Sequence, residues 1–572
     1  MASRVFMRDK GAPPALQTPD RAMAAEARWN PRRVGMIALG VALMALCVWF
    51  HAWRLAQTPG WDPQEGYNLD LAWNLLHGRL RLFALTQDFA QHPPLFYLQL
   101  ALSIRLFGYS MVAVRALAGL YAALTCGALL LIGGRMLGAG AALWGAAAFT
   151  VAPVMLTNTR WGYSYSMLAF VGLLCLWATW EALEASDQRT ALRWLLAAAT
   201  LAGLAAFSDY VGVAWIAFVA LAALRPGWRR ALLALGVGVG LLALGLLACL
   251  LASPGVFIAD VFSTGGRAAG GNPILAGILL LFNYQRLVTY DAWLLLGLVG
   301  LFLIHRARSR NLLLGAMALL GLVILKVRTL GPSFHTATPL LPLLALGAGV
   351  ALAAGAGKLF TWAEEWLAPL DRWLDRWLSA RAARRSAAGE KIEDVVASGP
   401  ALLSRFLMAL LVFVAIGSPV ALAGASDAAG LAGTLTTPQD NLLATPADAQ
   451  AAIQFTLAHA RRGDLVLASP QIAWAFDQPV DEQGRPLGIA GADIVQTVAY
   501  GGQAAAFYPA GLPRNRWAYD IAPSSARFVI VDDLLRQLAA PDQLPALAPI
   551  LARVERWPVV FRRGQYVVYE RP

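Results

Sequence analysis

The chain has 572 residues, of which 58% are hydrophobic and 14% charged, with a mean hydropathy of +0.56. Soluble domains run at roughly 25% charged residues, so this composition excludes an ordinary soluble protein and describes a polytopic membrane protein, with room for about ten or more spans of roughly twenty residues. The net charge of +12 does not point to nucleic acid, because the Lys and Arg fall between apolar runs and read as topology signals.

Residues 1–33 are polar and basic and are expected to form a cytoplasmic tail. The apolar run Val34–Trp53 is too long for a signal-peptide core and predicts an uncleaved anchor. All four cysteines, Cys47, Cys126, Cys175 and Cys249, lie inside apolar runs, which predicts neither a disulfide framework nor a Cys-ligated zinc site.

The connection 54–110 then carries Trp61-Asp62-Pro63-Gln64-Glu65-Gly66-Tyr67 near its start and Gln91-His92-Pro93-Pro94-Leu95 near its end. Carboxylates and a histidine kept beside a membrane suggest an active-site floor. Pro63 and Gly66, flanked by Trp61 and Tyr67, predict a shaped turn. Leu95–Phe107 is too short to span and contains Gln99 and Arg105, so it is expected to lie along the interface as an amphipathic helix.

That choice sets the parity of the spans that follow, near 111–132, 138–157, 164–182, 192–207, 211–224, 230–252, 293–304, 311–327 and 336–355. A Gly-rich loop at 253–273 and a second short interfacial segment separate two of them. Arg135, the Arg225–Arg230 cluster and the His305–Arg310 cluster then fall on one side, as the positive-inside bias of short loops requires. The module 34–355 is followed by a cytoplasmic amphipathic loop, 356–401, with Trp362, Trp366, Trp373 and Trp377 in a helical stripe. A last span at 402–424 completes about eleven spans. Residues 425–572 predict a small α/β domain on the outer side. Its elements are a helix at 448–460 started by Thr445-Pro446, buried strands at 464–469 and 527–532, and a hairpin at 559–570 turning at Arg563-Gly564. It shows no phosphate loop, metal-ligand spacing or nucleophile elbow.

The parity argument collects Asp62, Glu65, His92, Arg160, Tyr163, Asp209, Tyr210, Arg328 and His335 on one outer surface. Carboxylates beside cations suit deprotonation of a neutral hydroxyl while an anion is gripped. Bland readings stand beside these: solvated loop acids for Asp62 and Glu65, a helix start for His92, snorkelling anchors for Arg160 and Arg328, and a span-end carboxylate bonded to local backbone for Asp209.

The acidic motif before Gly66-Tyr67, Asn74-Leu75-Leu76-His77-Gly78, His92-Pro93-Pro94-Leu95, Phe107-Gly108, Arg115 and the stretch Arg160–Tyr165 together resemble the integral-membrane glycosyltransferases of the protein O-mannosyltransferase and aminoarabinose-transferase type. The resemblance covers about 50–355 and rests most on 62–115. It implies the GT-C fold: a polytopic α-helical membrane protein, here with a small C-terminal α/β extracytoplasmic domain. It further implies transfer of a sugar, with inversion, from a polyprenyl-phosphate-linked donor drawn from the bilayer to an acceptor hydroxyl on the outer face of a plasma or bacterial inner membrane, with no obligatory metal. Carried over, Asp62 or Glu65 is the acid. His92, Arg160, Arg328 and His335 bind the donor phosphate, while Gln64, Tyr67, Tyr163 and Asp209 line the cavity. The sequence departs from the family where an adjacent Asp-Glu is usual, since Gln64 precedes Glu65 and the aspartate stands at 62. Asp209 also occupies a place where relatives often have lysine. Two rivals follow from other classes: a transporter or flippase of lipid-linked sugars, which predicts internal repeats that the two halves do not show, and a catalytically lapsed scaffold, which the glutamine at 64 allows.

Overall fold

The computed structural model describes residues 31–81, 93–255, 257–258, 292–327, 334–387, 410, 422–425, 444–477, 488–500, 508, 511–513, 523–541 and 544–572. The helices of the membrane module are α1 (Pro31–Ala52), α2 (Pro63–Leu76), α3 (Leu95–Phe107), α4 (Met111–Met136), α5 (Ala139–Val151), α6 (Pro153–Arg160), α7 (Ser164–Glu184), α8 (Gln188–Ser208), α9 (Val213–Leu224), α10 (Trp228–Ala252), α11 (Ala292–Phe302), α12 (Ala307–Val327) and α13 (Leu341–Ala387). Among the described residues seven helices are long and apolar enough to cross a bilayer, or eight if the pair α5 and α6 counts as one bent span. The bend of 64° falls at Ala152, whose extended backbone is what a following proline enforces.

Alanine and leucine fill most of the bundle core around Phe149, Tyr163 and Trp215. Small residues let helices approach closely: a Cβ on Gly300 of α11 would strike the backbone of Gly347 on α13. α10 is peripheral, with Leu232, Leu244 and Leu251 turned outward, as a helix face in contact with lipid requires. α3 buries Phe96, Leu100 and Ile104 and exposes Leu98, Leu102 and Leu106, so both of its faces are apolar and its 13 residues are too few for a span.

The three basic clusters converge at one end of the bundle. Arg306 donates to the Arg135 carbonyl at 3.3 Å, Arg308 pairs with Glu184 at 2.6 Å, Arg135 pairs with Glu181 at 3.4 Å, and Arg225 lines one cavity with Arg306 and Arg308. The shared side read from the sequence is therefore a physical neighbourhood.

Two expectations change. The connection 54–110 is not a shaped turn plus one helix, because α2 begins directly at Pro63. The boundary drawn at 355 does not interrupt the chain: α13 runs through it to Ala387, since the change from apolar to charged residues alters the helix's surroundings without removing good helix formers. Most of the span expected at 402–424, and the segment between 259 and 291, lie outside the described residues.

The C-terminal domain comprises α14 (Pro446–His459), β1 (Leu465–Ala468), α15 (Pro470–Ala473), β2 (Ala490–Asp493), α16 (Ile494–Tyr500), β3 (Phe528–Val531), α17 (Asp533–Leu538), α18 (Ala548–Val554), β4 (Val559–Arg563) and β5 (Tyr566–Glu570). The sheet order is β2-β1-β3-β5-β4, with β1 parallel to β2 and β3 and the β4–β5 hairpin antiparallel. Its core is continuous with the first connection. Trp61, Leu69, Phe96 and Leu100 pack in one cluster with Ile453, Ile472, Phe528 and Val568, Trp61 forms an isolated β-bridge with Ala444, and Gly66 is pressed against the Pro470 carbonyl.

Asp493 accepts the amides of Val495 and Gln496 at 2.8 and 3.4 Å. Burial, with Asp532 nearby, pushes its carboxyl up to about 7, and burial pushes Asp532 up to about 6. Both folded values lie above the ordinary ~3.9, so the folded domain holds protons that the unfolded chain has released. This stability is complete below about pH 4 and is lost as the pH rises through about 6 and 7. Asp493→Asn keeps a helix-start acceptor and removes the titration. Its melting temperature relative to wild type, followed by tryptophan fluorescence, should therefore rise between pH 5 and pH 8. An offset that does not change with pH would exclude Asp493 as the titrating group.

Candidate active site

The site is built on the N-terminus of α2. Asp62 is the N-cap and Pro63 the first helical residue. The Gln64 amide donates to Asp62 Oδ1 at 2.8 Å, and the Asp62 amide donates to Glu65 Oε2 at 3.2 Å, forming a reciprocal capping box. His77 and the positive φ of Gly78 close the helix, which explains the glycine of the Asn74–Gly78 motif.

Glu65 is fully buried and its oxygens are committed. Arg115 donates from Nε to Oε1 at 2.8 Å and from Nη2 to Oε2 at 2.6 Å, and the Gly162 amide donates to Oε1 at 2.9 Å. Arg115, also fully buried, extends to the carbonyls of Leu55, Pro59 and Gly60 at 2.9–3.0 Å. Arg160 completes the clamp on the same stretch. It donates to the carbonyls of Thr58 and Trp53 at 2.8–3.0 Å, and to those of Phe50 and Arg54. Its guanidinium thus caps the C-terminal end of α1 and the residues beyond it, and in this conformation it faces backbone.

Asp62, Pro63 and Gln64 are half-buried, whereas Tyr67 and Tyr163 are buried. Tyr163 adjoins the acids: burial, with Asp62 and Glu65 beside it, holds its phenol well above the ordinary value. Asp209 accepts from the Ser164 hydroxyl at 3.0 Å and from the Val211 amide at 2.9 Å, so it ties the start of α7 to the turn after α8, and Tyr210 begins that turn. The structure therefore gathers Asp62, Gln64, Glu65, Arg160, Tyr163 and Asp209 at one end of the bundle. His92 and Arg328 lie outside the described residues, and the backbone of His335 lies in the 3-10 turn Phe334–Leu340.

Sequence reasoning missed Asn68 and Tyr97. The Asn68 amide donates to the Gly162 carbonyl at 3.0 Å, and its oxygen accepts from the Tyr97 hydroxyl at 3.0 Å, joining α2, α3 and the α6–α7 connection. The available signal was helical spacing, with Asn68 three residues after Glu65. The tie to the C-terminal domain was also missed. Arg79 donates to both oxygens of Asp477 at 2.7 and 2.9 Å and to Asn74 at 2.9 Å, while burial, with Asp477 and Asp493 near, holds the Asp70 carboxyl well above its usual range.

A helical bundle whose large first connection starts an acid-bearing helix, tied to later connections and roofed by a domain beyond the spans, defines an integral-membrane protein with the fold of the GT-C glycosyltransferases. ArnT from Cupriavidus metallidurans bound to undecaprenyl phosphate superposes with a TM-score of 0.57 at 17% identity, over 94% of this chain and 98% of that one. The same protein in its apo state gives 0.51 at 17% identity over the same shares. Residues 91–257 match the sequence pattern of the family described as dolichyl-phosphate-mannose-protein mannosyltransferase. No curated protein matches the chain by sequence.

Removing one member of a buried ion pair leaves an uncompensated charge, which typically costs about 3–5 kcal/mol. Arg115→Met should lower stability in detergent by that order, and Glu65→Gln/Arg115→Met should recover a large part of it. A double variant as unstable as the sum of the single ones would show that the two groups act independently.

Proposed function

We propose that this protein transfers a sugar from a polyprenyl-phosphate-linked donor to an acceptor hydroxyl, at the bundle end that carries the C-terminal domain and on the outer face of a plasma or bacterial inner membrane. Its fold, its partial match to the mannosyltransferase family and the undecaprenyl phosphate bound by the similarly folded ArnT support this reading. The observation that carries it is the contrast between two acids three positions apart. Glu65 is locked by Arg115 and Gly162, whereas Asp62 is half-buried at the helix start.

Asp62 then serves as the base. It takes the proton of the acceptor hydroxyl as that oxygen forms a bond to the anomeric carbon, the bond to the lipid phosphate breaks on the opposite face, and the configuration inverts. Glu65 and Arg115 hold α2 in place, and Arg160 steadies the stretch before it. His92, Arg328 and His335 are assigned to the donor phosphate, where cationic donors neutralise the leaving group's charge and leave a metal without an obligatory role. Gln64, Tyr67 and Tyr163 border the reacting groups, and Asp209 braces the connection beside them.

The test is transfer from a radiolabelled polyprenyl-phosphate sugar to a panel of acceptors by purified protein. Asp62→Asn preserves the cap and should keep the melting temperature, while transfer falls by about 10²–10⁴-fold. Transfer intact in Asp62→Asn would remove the assignment, and donor flux in liposomes without glycoside product would replace the enzyme by a transporter. Chelation with EDTA should leave the rate unchanged. A loss reversed by added divalent cation would overturn the metal-free mechanism.

A further inference from the structure

The opposite end of the bundle carries a second, unassigned feature. A cavity of about 690 Å³ opens between the end of α7, the residue after α9 and the start of α12, with Trp180, Glu184, Arg225, Arg306 and Arg308 in its wall. A second cavity of about 380 Å³ shares Arg306 with the first and is otherwise largely apolar, bordered by Met136, Leu137, Ile304 and Val350. Two basic clusters that are distant in the sequence thus meet at one cavity.

The charges are not balanced within it. Arg308 is neutralised by Glu184 at 2.6 Å. Arg306 has a carbonyl partner, that of Arg135, at 3.3 Å. Arg225 makes no side-chain hydrogen bond or ion pair among the described residues, and both Arg225 and Arg306 are exposed. Two guanidiniums are therefore available to an anion, and their forked donors match phosphate oxygens. A free anion would use the first cavity alone. The apolar cavity continuing from Arg306 suits a hydrocarbon chain, and Trp180 in the wall is the residue type that favours the headgroup layer. α7 separates this place from Ser164, Tyr163 and Asp62 by its full length of 21 residues, roughly 30 Å at about 1.5 Å per residue.

We infer that the paired cavities bind an anionic phospholipid, its headgroup phosphate between Arg225 and Arg306 and an acyl chain in the apolar cavity. The site is independent of sugar transfer.

The experiment uses the full-length protein in a neutral detergent, with thermal shift followed against added dioleoyl-phosphatidylglycerol, dioleoyl-phosphatidylcholine and inorganic phosphate in separate arms. Phosphatidylglycerol should raise the melting temperature saturably, and the other two should not. Arg225→Gln and Arg306→Gln should each weaken the half-saturating lipid concentration about fivefold, the factor corresponding to ~1 kcal/mol per basic residue. Both side chains are exposed, so the lipid-free melting temperature of each variant should stay close to wild type, which separates lost binding from lost folding. Arg189→Gln, an exposed charge outside the cavity, should leave the affinity unchanged. Equal protection by phosphatidylcholine, equal protection by inorganic phosphate, or equal weakening by Arg189→Gln would each overturn the assignment.

Discussion

A carboxylate and a guanidinium buried together impose the condition on which this architecture depends. Glu65 and Arg115 are both fully buried, and charges taken out of water persist only when geometry and additional hydrogen bonds satisfy them. Here the remaining capacity is met by the Gly162 amide on one side and by the carbonyls of Leu55, Pro59 and Gly60 on the other. The pair therefore fixes four things relative to one another: the start of α2, the start of α4, the connection after α6 and the stretch leaving α1. Arg160 repeats the device on that last stretch by holding the carbonyls between Phe50 and Thr58. Backbone that leaves a helix at membrane depth must find hydrogen-bond partners within the protein, and these two arginines provide them.

The C-terminal domain belongs to the same construction. Trp61 bridges Ala444, Trp474 lies 5.7 Å from Trp61, and the Arg79–Asp477 pair links the end of α2 to the domain. A shared apolar core beneath these contacts leaves little freedom for the domain to move without moving α2. Since α2 carries Asp62, the domain's packing and the placement of the proposed base are one problem.

Much of the bundle was legible because the bilayer imposes local rules. Hydrophobic length marks spans, and the Arg-containing clusters near 135, 225 and 306 share one side. The site was legible as a neighbourhood of Asp62, Glu65, Arg160, Tyr163 and Asp209, but not in its internal division of labour. Glu65 finds Arg115 fifty residues away, a pairing that no local pattern encodes. Asp62-Pro63-Gln64-Glu65 does satisfy a local rule, the capping box, yet Gly66 in the next position makes the segment look like a turn. The reason for that glycine is tertiary, for the Pro470 carbonyl occupies the space a side chain would need. Arg160 reads from the sequence as a lipid anchor or a phosphate ligand, and its observed partners are carbonyls at the end of α1 and in the stretch beyond it. In the C-terminal domain, β2 (Ala490–Asp493) contains none of the residues that favour strands and exists as an edge strand because β1 pairs with it.

The glutamine at 64 looks like the loss of an acid only if the acid's place is defined by its distance from Glu65 along the chain. The helix start defines it differently. The N-cap residue is the last one with extended backbone before α2, so its side chain stands beside the helix end, whereas the residues that follow it turn with the helix. Asp62 occupies that position with φ −88° and ψ 145°, adjoins Tyr163, and keeps partial exposure that Glu65 lacks. An aspartate at 64 would lie inside the first turn, where its side chain would leave that end position. The aspartate at 62 and the glutamate at 65 thus form a pair set by helix geometry, one held at the rim and the other holding it there.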